Sequence, residues 1–334
     1  MISVAFFNNK GGVGKTALIY HLAWTYTDLG LRVLVADLDP QSNLTALCLE
    51  DGLLEELWET DDEDRQTIYG AVYPVKEEMG DIKDITIEPV SPKLGLITGD
   101  IKLSQFEAKL SDVWPRCLDG GAPAYRATTA IHRVVRACAE EWEADLVLLD
   151  VGPNLGAINR SALLAAEWVT TPLGADLFSI QGLRNLGPTL AQWRKEWRDR
   201  LEKNPINGLD MPGGSMKPAG YVITQPNLYG GRVTKAYQKW IARVPTEYAH
   251  TLPSPPKRIP ASTDQDPYCL GIMKHYRSLM PLAHEVRKPV FHLTAADGAL
   301  GAHATAAREA GGDFKGLAER LAQQIKLRLP RRAA

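Results

Sequence analysis

Residues 10–16 read Lys-Gly-Gly-Val-Gly-Lys-Thr and stand between two apolar stretches. The preceding stretch, Ile2–Phe7, has the composition of a buried strand, and the following one, Ala17–Leu29, has apolar residues at helical spacing. A strand, a glycine turn and a helix start present backbone N–H groups to a phosphate, because glycine has no Cβ in the way and the helix dipole favours an anion. The stretch predicts a phosphate-binding loop in an α/β fold.

The loop departs from the usual phosphate-loop pattern. Asn9 stands where the pattern of glycine, four residues and Gly-Lys-Ser/Thr has its first glycine, and Lys10 adds a second lysine. We expect Lys15 to contact the terminal phosphates and the Thr16 hydroxyl to face a magnesium ion. The predicted nucleotide-binding residues of the loop are Lys10, Gly11, Gly12, Val13, Gly14, Lys15, Thr16 and Ala17.

This loop resembles the deviant Walker A loop of the ParA/MinD group of ATPases, which carries a signature lysine at the position of Lys10. A second buried-type strand, Val33–Asp37, runs into Asp37-Leu38-Asp39-Pro40-Gln41, which matches the DxDPQ stretch of ParA-like proteins. The resemblance implies that Asp39 positions the attacking water beside the γ-phosphate and that Asp37 supports the magnesium shell. Alternatively, the two acids cap the next helix.

A third apolar stretch ends in an acid, Asp145–Asp150. A buried parallel strand has this composition, and its carboxyl end lies in the crevice where ligands bind. Asp150 therefore resembles the Walker B aspartate, which holds magnesium through water. Val151-Gly152-Pro153 stands where the family has a Pro-Pro or Pro-Ala pair, and we expect the Gly152 N–H to reach the γ-phosphate. The predicted metal-binding residues are Thr16, Asp37 and Asp150.

The resemblance gives Lys10 a role outside its own subunit. In the family this lysine crosses a dimer interface and contacts the partner's nucleotide, so that two ATP molecules lie between two subunits. Such a lysine adds positive charge where phosphate oxygens gain charge. The predicted catalytic residues are Lys10, Lys15 and Asp39, with ATP and Mg²⁺ as cofactors and an ATP-dependent homodimer as the assembly. A lysine merely solvated at the mouth of the loop is the alternative.

The resemblance covers nearly the whole chain, and alternating strands and helices predict one doubly wound, mostly parallel sheet flanked by helices. Further strands are predicted at Leu94–Thr98, Trp168–Pro172, Gly220–Thr224 and Phe291–Leu293, and helices at Arg126–Trp142 and Gln181–Lys203. We expect a single domain over residues 1–334, with insertions or long loops at 50–66, 111–125, 204–218 and 245–288. Cys269–Arg287 is predicted to be an additional helical piece. Gln225 and the loop Thr294–Gly298 are expected near the adenine.

The composition is ordinary for a soluble globular protein. The chain has 334 residues, 45% hydrophobic and 23% charged, which is enough to bury a sizeable core. No run of eighteen apolar residues occurs, so no membrane-spanning helix is predicted. The four cysteines lack CxxC spacing and are predicted to be reduced thiols of a cytoplasmic protein. Their placement also argues against a relative that binds an iron–sulfur cluster. Because the first strand follows Met1 directly, we expect no upstream helix-turn-helix domain.

Three functions remain open, and the first is a ParA-like DNA-partitioning ATPase whose ATP dimer binds DNA nonspecifically, at the nucleoid. Four basic residues are spaced to lie on one side of a predicted helix, where ParA-like proteins place DNA-contacting residues: Arg232, Lys235, Lys239 and Arg243. Phosphate contacts need no base readout. Since the net charge is only −2, DNA affinity must come from such a patch. A ParB-like or other activating partner is expected to stimulate hydrolysis.

The second function is a MinD-like ATPase at a membrane surface. An apolar stripe at helical spacing precedes a basic end, and it consists of Phe314, Leu317, Leu321 and Ile325. Such a stripe more often packs against a sheet, so a membrane is not the expected partner.

The third function is that of a metabolic enzyme sharing the loop, such as a dethiobiotin or cobyrinate amidation enzyme. The acidic residues of 50–64 form either a solvated face or a docking surface for a basic partner.

Overall fold

The computed structural model describes residues 1–224, 228–229, 232–233, 235–276 and 278–330, with side chains over the same ranges except 228–236. The strands are β1 Ile2–Phe6, β2 Val33–Asp37, β3 Glu88–Ser91, β4 Leu94–Ile97, β5 Leu146–Asp150, β6 Trp168–Gly174, β7 Lys217–Thr224, β8 Leu228–Tyr229, β9 Arg232–Val233 and β10 Cys269–Met273. The α-helices are α1 Lys15–Asp28, α2 Asn43–Cys48, α3 Asp51–Glu59, α4 Ile68–Lys76, α5 Phe106–Arg116, α6 Ala122–Thr128, α7 Ala130–Glu141, α8 Ala157–Ala165, α9 Leu177–Leu201, α10 Lys235–Ile241, α11 Val244–Ala249, α12 Leu279–Glu285 and α13 Ala302–Ile325.

Eight strands form one sheet in the order β10-β7-β6-β1-β5-β2-β4-β3. The neighbouring pairs are parallel, except for β3, which pairs antiparallel with β4. The strands β2 and β5 are buried along their whole length, as their unbroken apolar composition predicts for strands covered on both faces. The doubly wound, mostly parallel α/β fold is therefore confirmed.

The register of the central strands places the predicted acids together. Phe6 of β1 pairs with Asp150 of β5, and Asp37 of β2 pairs with the same Asp150 on the other side. The carboxyl ends of these three strands thus meet at one edge of the sheet. Because the glycine loop leaves β1 at that edge, loop and acids share one crevice.

Helices cover both faces of the sheet. One apolar layer joins it to α4–α9, and a second joins it to α1, α12 and α13. The Tyr26 hydroxyl in α1 donates to the Ala318 carbonyl in α13 (2.9 Å). The stripe of α13 lies in the second layer, where Phe314, Leu317, Leu321 and Ile325 are each at most 4% exposed. Packing against the sheet, the more common role of such a stripe, is the one observed.

Two predicted elements in the last third of the chain are wrong. Cys269–Met273, expected to begin a helical piece, is β10, which pairs parallel with β7 at the sheet edge, and the helix α12 follows only at Leu279. A short apolar run does not distinguish strand from helix by its periodicity, so strand pairing decides. Phe291–Leu293, expected to be a strand, lies in and after a 3₁₀ turn, Val290–His292. The strand position beside β7 is taken by β10.

Other boundaries differ by less. The predicted helix Arg126–Trp142 is two helices, α6 and α7, separated at Thr129. Residues 111–125 fall mostly in α5 and α6, and residues 50–66 contain the helix α3. The acidic residues of α3 flank Leu54 and Leu57, which are buried, so this segment is an amphipathic helix with a solvated acidic face. Within the described ranges, no helix has the length and apolar character needed to cross a membrane.

Candidate nucleotide-binding site

The glycine loop between β1 and α1 is open to solvent and has a backbone that requires glycine. Gly12 has φ 72° and Gly14 has φ 77°, both in the left-handed region. Gly14 precedes the first residue of α1, Lys15, so the unpaired N–H groups of the first helical turn face the loop. Gly11 and Gly12 are exposed. The conformation is that of an anion-binding loop at a helix N-terminus.

Two long-range hydrogen bonds hold this loop on the neighbouring strands, and a third bond lies within it. The Asn8 side chain donates to the Pro172 carbonyl at the end of β6 (2.7 Å) and accepts from the Lys10 N–H (2.9 Å). The Thr224 hydroxyl at the end of β7 donates to the Val13 carbonyl (2.7 Å). These anchors could not be predicted from the sequence, because no local pattern indicates which distant loop a polar residue at a strand end will contact.

One buried lysine and three acids converge beneath the loop. Lys15 is 7% exposed, Asp39 9%, Asp150 1% and Asp37 0%. Burial lowers the pKa of Lys15, while Asp150 and Asp39 oppose that shift. Lys15 is therefore a desolvated cation between carboxylates, and a phosphate would add the negative charge that favours its protonated form.

Asp150 and Asp37 have oxygen atoms available to a cation. Within the described residues, neither carboxylate oxygen of Asp150 nor Oδ1 of Asp37 has a hydrogen-bond partner. Burial raises the pKa of Asp150 to about 8, with Asp37 adding to the shift and Thr16 and Lys15 opposing it. Burial likewise raises the pKa of Asp37 to about 7, against its hydrogen bonds from Thr45. Buried carboxylates without partners are costly unless a cation is bound, so these residues fit a magnesium site.

No cluster of three His, Cys, Asp or Glu side chains placed to hold a metal ion occurs in the described part of the chain. Magnesium in proteins binds through one or two carboxylates, water and substrate phosphates. Asp37 is only partly free, because its Oδ2 accepts from both the N–H and the hydroxyl of Thr45 in α2 (2.8 Å each). Two roles were considered for Asp37, capping of the next helix and support of a magnesium ion. Oδ2 caps α2 through Thr45, and Oδ1 has no hydrogen-bond partner among the described residues and is available for the second role.

Asp39 lies against the loop that follows β5. Its Oδ1 accepts from the Gln41 N–H (3.0 Å), and a Cβ built on Gly152 would lie 3.3 Å from the same oxygen. The Gly152 N–H, predicted to reach the γ-phosphate, donates instead to the Asn159 side chain (3.1 Å). A phosphate contact by this N–H would require that hydrogen bond to break.

Lys10 does not point into the cluster around Lys15. Its ammonium forms an ion pair with Asp176, the residue that caps the N-terminus of α9. The Ser179 N–H also donates to Asp176 (2.9 Å). Burial alone would raise the pKa of Asp176, but Lys10 and Ser179 lower it below its ordinary value. No local pattern indicates this pairing, because 166 positions separate the two residues.

An apolar slot of about 60 Å³ opens beside the loop. Its walls come from the start of α1, the end of β7, the segment after β10, and α12 and α13: Gly14, Ala17, Leu18, His21, Thr224, Met273, Lys274, His275, Tyr276, Met280 and Phe314. Gln225, predicted to contact the adenine, lies outside the described residues. Thr294–Gly298, the other predicted base contact, does not line the slot.

The four predicted DNA-contacting residues do not share one helix. Arg232 lies in β9, and Arg243 follows the end of α10 at Ile241, so neither residue shares that helix with Lys235 and Lys239. Lys239 is exposed and lies over the Trp240 ring, 4.8 Å from its centroid. Arg243 lies over the same ring (5.4 Å) and pairs with Glu247 (3.4 Å).

A further arginine joins this group. Arg184 of α9 pairs with Glu247 through two hydrogen bonds (2.6 and 2.8 Å), and its side chain is 49% exposed. Lys239, Arg243 and Arg184, with Glu247 as the opposing charge, leave a net positive surface beside an aromatic ring. Arg184 was missed because α9 is distant in sequence from α10.

A glycine loop between a parallel strand and a helix, with acids at the ends of two adjacent strands, defines a P-loop nucleotide-binding protein. The chain belongs to the AAA_31 family of AAA domains, whose family model matches residues 1–203, and is a ParA-type P-loop ATPase.

Similar proteins agree with this assignment. The chain is 31% identical to the chromosome-partitioning ATPase Soj of Thermus thermophilus over 201 residues, 59% of this chain and 65% of that protein. It is 30% identical to the chromosome partitioning protein ParA of Caulobacter vibrioides over 201 residues, 60% of this chain and 66% of that protein. The match thus spans less than two thirds of either relative. In fold, the chain is similar to protein DIP2308 of Corynebacterium diphtheriae, with a TM-score of 0.71 and 24% identity over 97% of this chain and 99% of the other.

Proposed function

We propose that the chain is a magnesium-dependent ATP hydrolase whose ATP-bound form is a homodimer that binds DNA nonspecifically and acts in DNA partition or cargo positioning. The observation that carries the enzymatic part is the buried cluster beneath the loop. It combines one desolvated lysine, Lys15, with the buried carboxylate of Asp150, whose oxygens accept no hydrogen bond within the described residues, and a second acid, Asp39, beside them. Such a cluster is costly for an isolated chain and is compensated by a phosphate and a divalent cation.

Each residue of the cluster has one task in the proposed reaction. The loop N–H groups and Lys15 bind the β- and γ-phosphates and place the γ-phosphate above the ends of β1 and β5. Asp150, with Thr16 and the free oxygen of Asp37, would hold magnesium through water. Bound there, the metal supplies positive charge to the phosphate oxygens. Asp39 accepts a hydrogen bond from the attacking water and orients it toward phosphorus.

The apolar slot beside the loop is the proposed site of the base. It adjoins Gly14 and Ala17, so a nucleotide whose phosphates lie on the loop brings its base to the slot entrance. The walls supply Met273, Tyr276 and Phe314 for contact with a flat ring. This placement replaces the expected contact with the loop Thr294–Gly298, while Gln225 remains a proposed contact.

Lys10 supports the dimer part of the proposal. Its side chain is partly exposed at the mouth of the loop and pairs with Asp176 in its own chain, away from Lys15. A lysine placed there is free to exchange Asp176 for the phosphate of a second subunit when the two loops face each other. In that arrangement ATP joins the subunits and hydrolysis separates them.

The DNA part rests on the relatives and on the basic surface. Soj and ParA are named as chromosome-partitioning proteins. Lys239, Arg243 and Arg184 offer positive charge beside Trp240, and phosphate neutralisation by such residues gives sequence-independent binding. Arg232 and Lys235 remain proposed contributors. A ParB-like or other activating partner is proposed to stimulate hydrolysis.

The membrane alternative has lost its main support, because the apolar stripe of α13 is buried against the sheet. A metabolic enzyme is favoured by no observation in the described residues.

The proposal is tested by phosphate release from ATP. The full chain with ATP and magnesium should release inorganic phosphate, and EDTA should stop the release. An Asp39→Asn variant keeps the acceptor for the Gln41 N–H and serves as the inactive control. Release by the unaltered chain no faster than by that variant would contradict the ATPase assignment.

A further inference from the structure

The loop between β5 and α8 is clasped by one side chain. Asn159 of α8 is 1% exposed, and its amide bonds to two residues of that loop. Its Oδ1 accepts from the Gly152 N–H (3.1 Å), while its Nδ2 donates to the Gly152 carbonyl (2.8 Å) and to the carbonyl and side-chain oxygen of Asn154 (2.7 and 3.1 Å).

This pairing demands an amide. Gly152 has a backbone N–H that donates and a carbonyl that accepts, and the Asn159 amide pairs with both. A neighbouring β-strand would pair with a residue in the same way. The Gly152 N–H also fixes which atom of the amide is oxygen. An aspartate at position 159 would keep the acceptor but turn the Nδ2 donor into an oxygen facing two carbonyls. An alanine at position 159 would leave both the N–H and the carbonyl of Gly152 without the Asn159 amide as a partner.

The clasp holds the loop against Asp39. Gly152 lies between Asp39 and Asn159, because a Cβ built on it would lie 3.3 Å from Asp39 Oδ1 and 3.5 Å from Asn159 Nδ2. Movement of Gly152 therefore changes the space beside the Asp39 carboxylate. Since that carboxylate is proposed to orient the attacking water, the clasp bears on the hydrolysis step rather than on phosphate binding by the loop at 10–16.

The far end of the same loop is fixed separately. Glu107 of α5 accepts from the N–H groups of Ala157 and Ile158 (2.9 Å for Ile158), the first two residues of α8. The helix that carries Asn159 is thus anchored to α5 without using the loop. Between the two anchors, residues 153–155 are exposed, and Pro153 lies 3.9 Å from a Cβ built on Gly11.

We propose that Asn159 is a positioning residue for hydrolysis: it sets the conformation of loop 151–156 and, through Gly152, the placement of Asp39. The inference rests on the proposed ATPase function. It implies that loss of these hydrogen bonds lowers kcat and leaves ATP binding nearly unchanged, because the hydrogen bonds described for the Asn159 side chain go to Gly152 and Asn154 rather than to the glycine loop or Lys15.

The test uses Asn159→Ala and Asn159→Asp in the full chain, with Asn185→Ala and Asn185→Asp as matched controls on the exposed surface of α9. Affinity for a fluorescent ATP analogue and kcat with saturating ATP and magnesium are measured for each. We expect kcat to fall on the order of tenfold or more in both Asn159 variants, with the dissociation constant within about threefold. The Asn185 variants should match the unaltered chain.

A second readout is independent of activity. Hydrogen exchange of the peptide covering 151–156 should accelerate on the order of tenfold in Asn159→Ala, while the peptide covering the rest of α8 exchanges as before. If Asn159→Asp does not fold, the Asn159→Ala measurements decide alone. Parental kcat, or equal losses of kcat and ATP affinity, would overturn the role of Asn159. An unaltered chain that binds ATP but never hydrolyses it would instead refute the proposed function.

Discussion

The two lysines of one loop occupy two different environments. Lys15 is 7% exposed and lies among Asp39 and Asp150, whereas Lys10 is partly exposed and pairs with Asp176 at the start of α9. The carboxylate side of the site is preorganised inside one chain. The Lys10 side is held by a single ion pair near solvent, where such pairs are weak and readily exchanged. We therefore propose that the buried side binds the nucleotide and that the exposed side serves subunit association.

The largest effect is expected at Lys15. Lys15→Gln removes the cation that faces the terminal phosphates, and we expect no detectable binding of ATP or ADP in a fluorescence titration. Lys10→Gln is the matched control, since it makes the same change in the same loop and should retain ADP affinity. Equal losses in both variants would mean that the two lysines do not divide their roles as proposed.

Asp39 should separate binding from turnover. Asp39→Ala removes the carboxylate proposed to orient water, so kcat should fall by about two orders of magnitude or more. ATP binding should persist, and ATP should hold the subunits together for longer, as measured by light scattering over time. A variant that hydrolyses ATP at the parental rate would refute the role of Asp39.

The basic surface should give a smaller effect. Lys239→Ala with Arg243→Ala should weaken ATP-dependent retention on DNA, and the slope of log affinity against log salt should decrease by about 0.9 for each lost phosphate contact. Lys195→Ala with Arg198→Ala removes the same charge from exposed positions on α9 and is the control. Identical DNA affinity in both double variants would remove this surface from the account.

The smallest expected effect is a pH dependence of stability. The folded-state pKa values of Asp37 and Asp150 are raised to about 7 and about 8, so their contribution is complete at low pH and is lost as pH rises through those values. His21, whose pKa burial lowers to about 4, opposes this trend only below its ordinary pKa of 6.5. Without nucleotide, the unfolding free energy should therefore fall between pH 6.5 and 8.

Urea unfolding at pH 6.5 and pH 8 measures this slope. Asp150→Asn carries no titrating group at that position, so its unfolding free energy should depend less on pH than that of the unaltered chain. A rising slope over the same interval in the unaltered chain would contradict the assigned burial of the acids.

The sequence predicted the buried side of the site better than the exposed side. The strands around Asp37 and Asp150 were found because short apolar runs, glycines and terminal acids are local signals. Asp176, Asn159 and Thr224 were missed because their roles depend on loops brought to them by the sheet. For the same reason, Cys269–Met273 became an edge strand by pairing with β7, while the expected strand at Phe291–Leu293 is absent.

The central claim is that ATP joins two chains through Lys10, and the mass of the protein in solution tests it most directly. With magnesium and a non-hydrolysable ATP analogue at saturation, light scattering should report the mass of two chains, whereas ADP should leave one. Lys10→Ala should remain single in the same solution. An unaltered chain that stays single with the analogue bound would contradict the account.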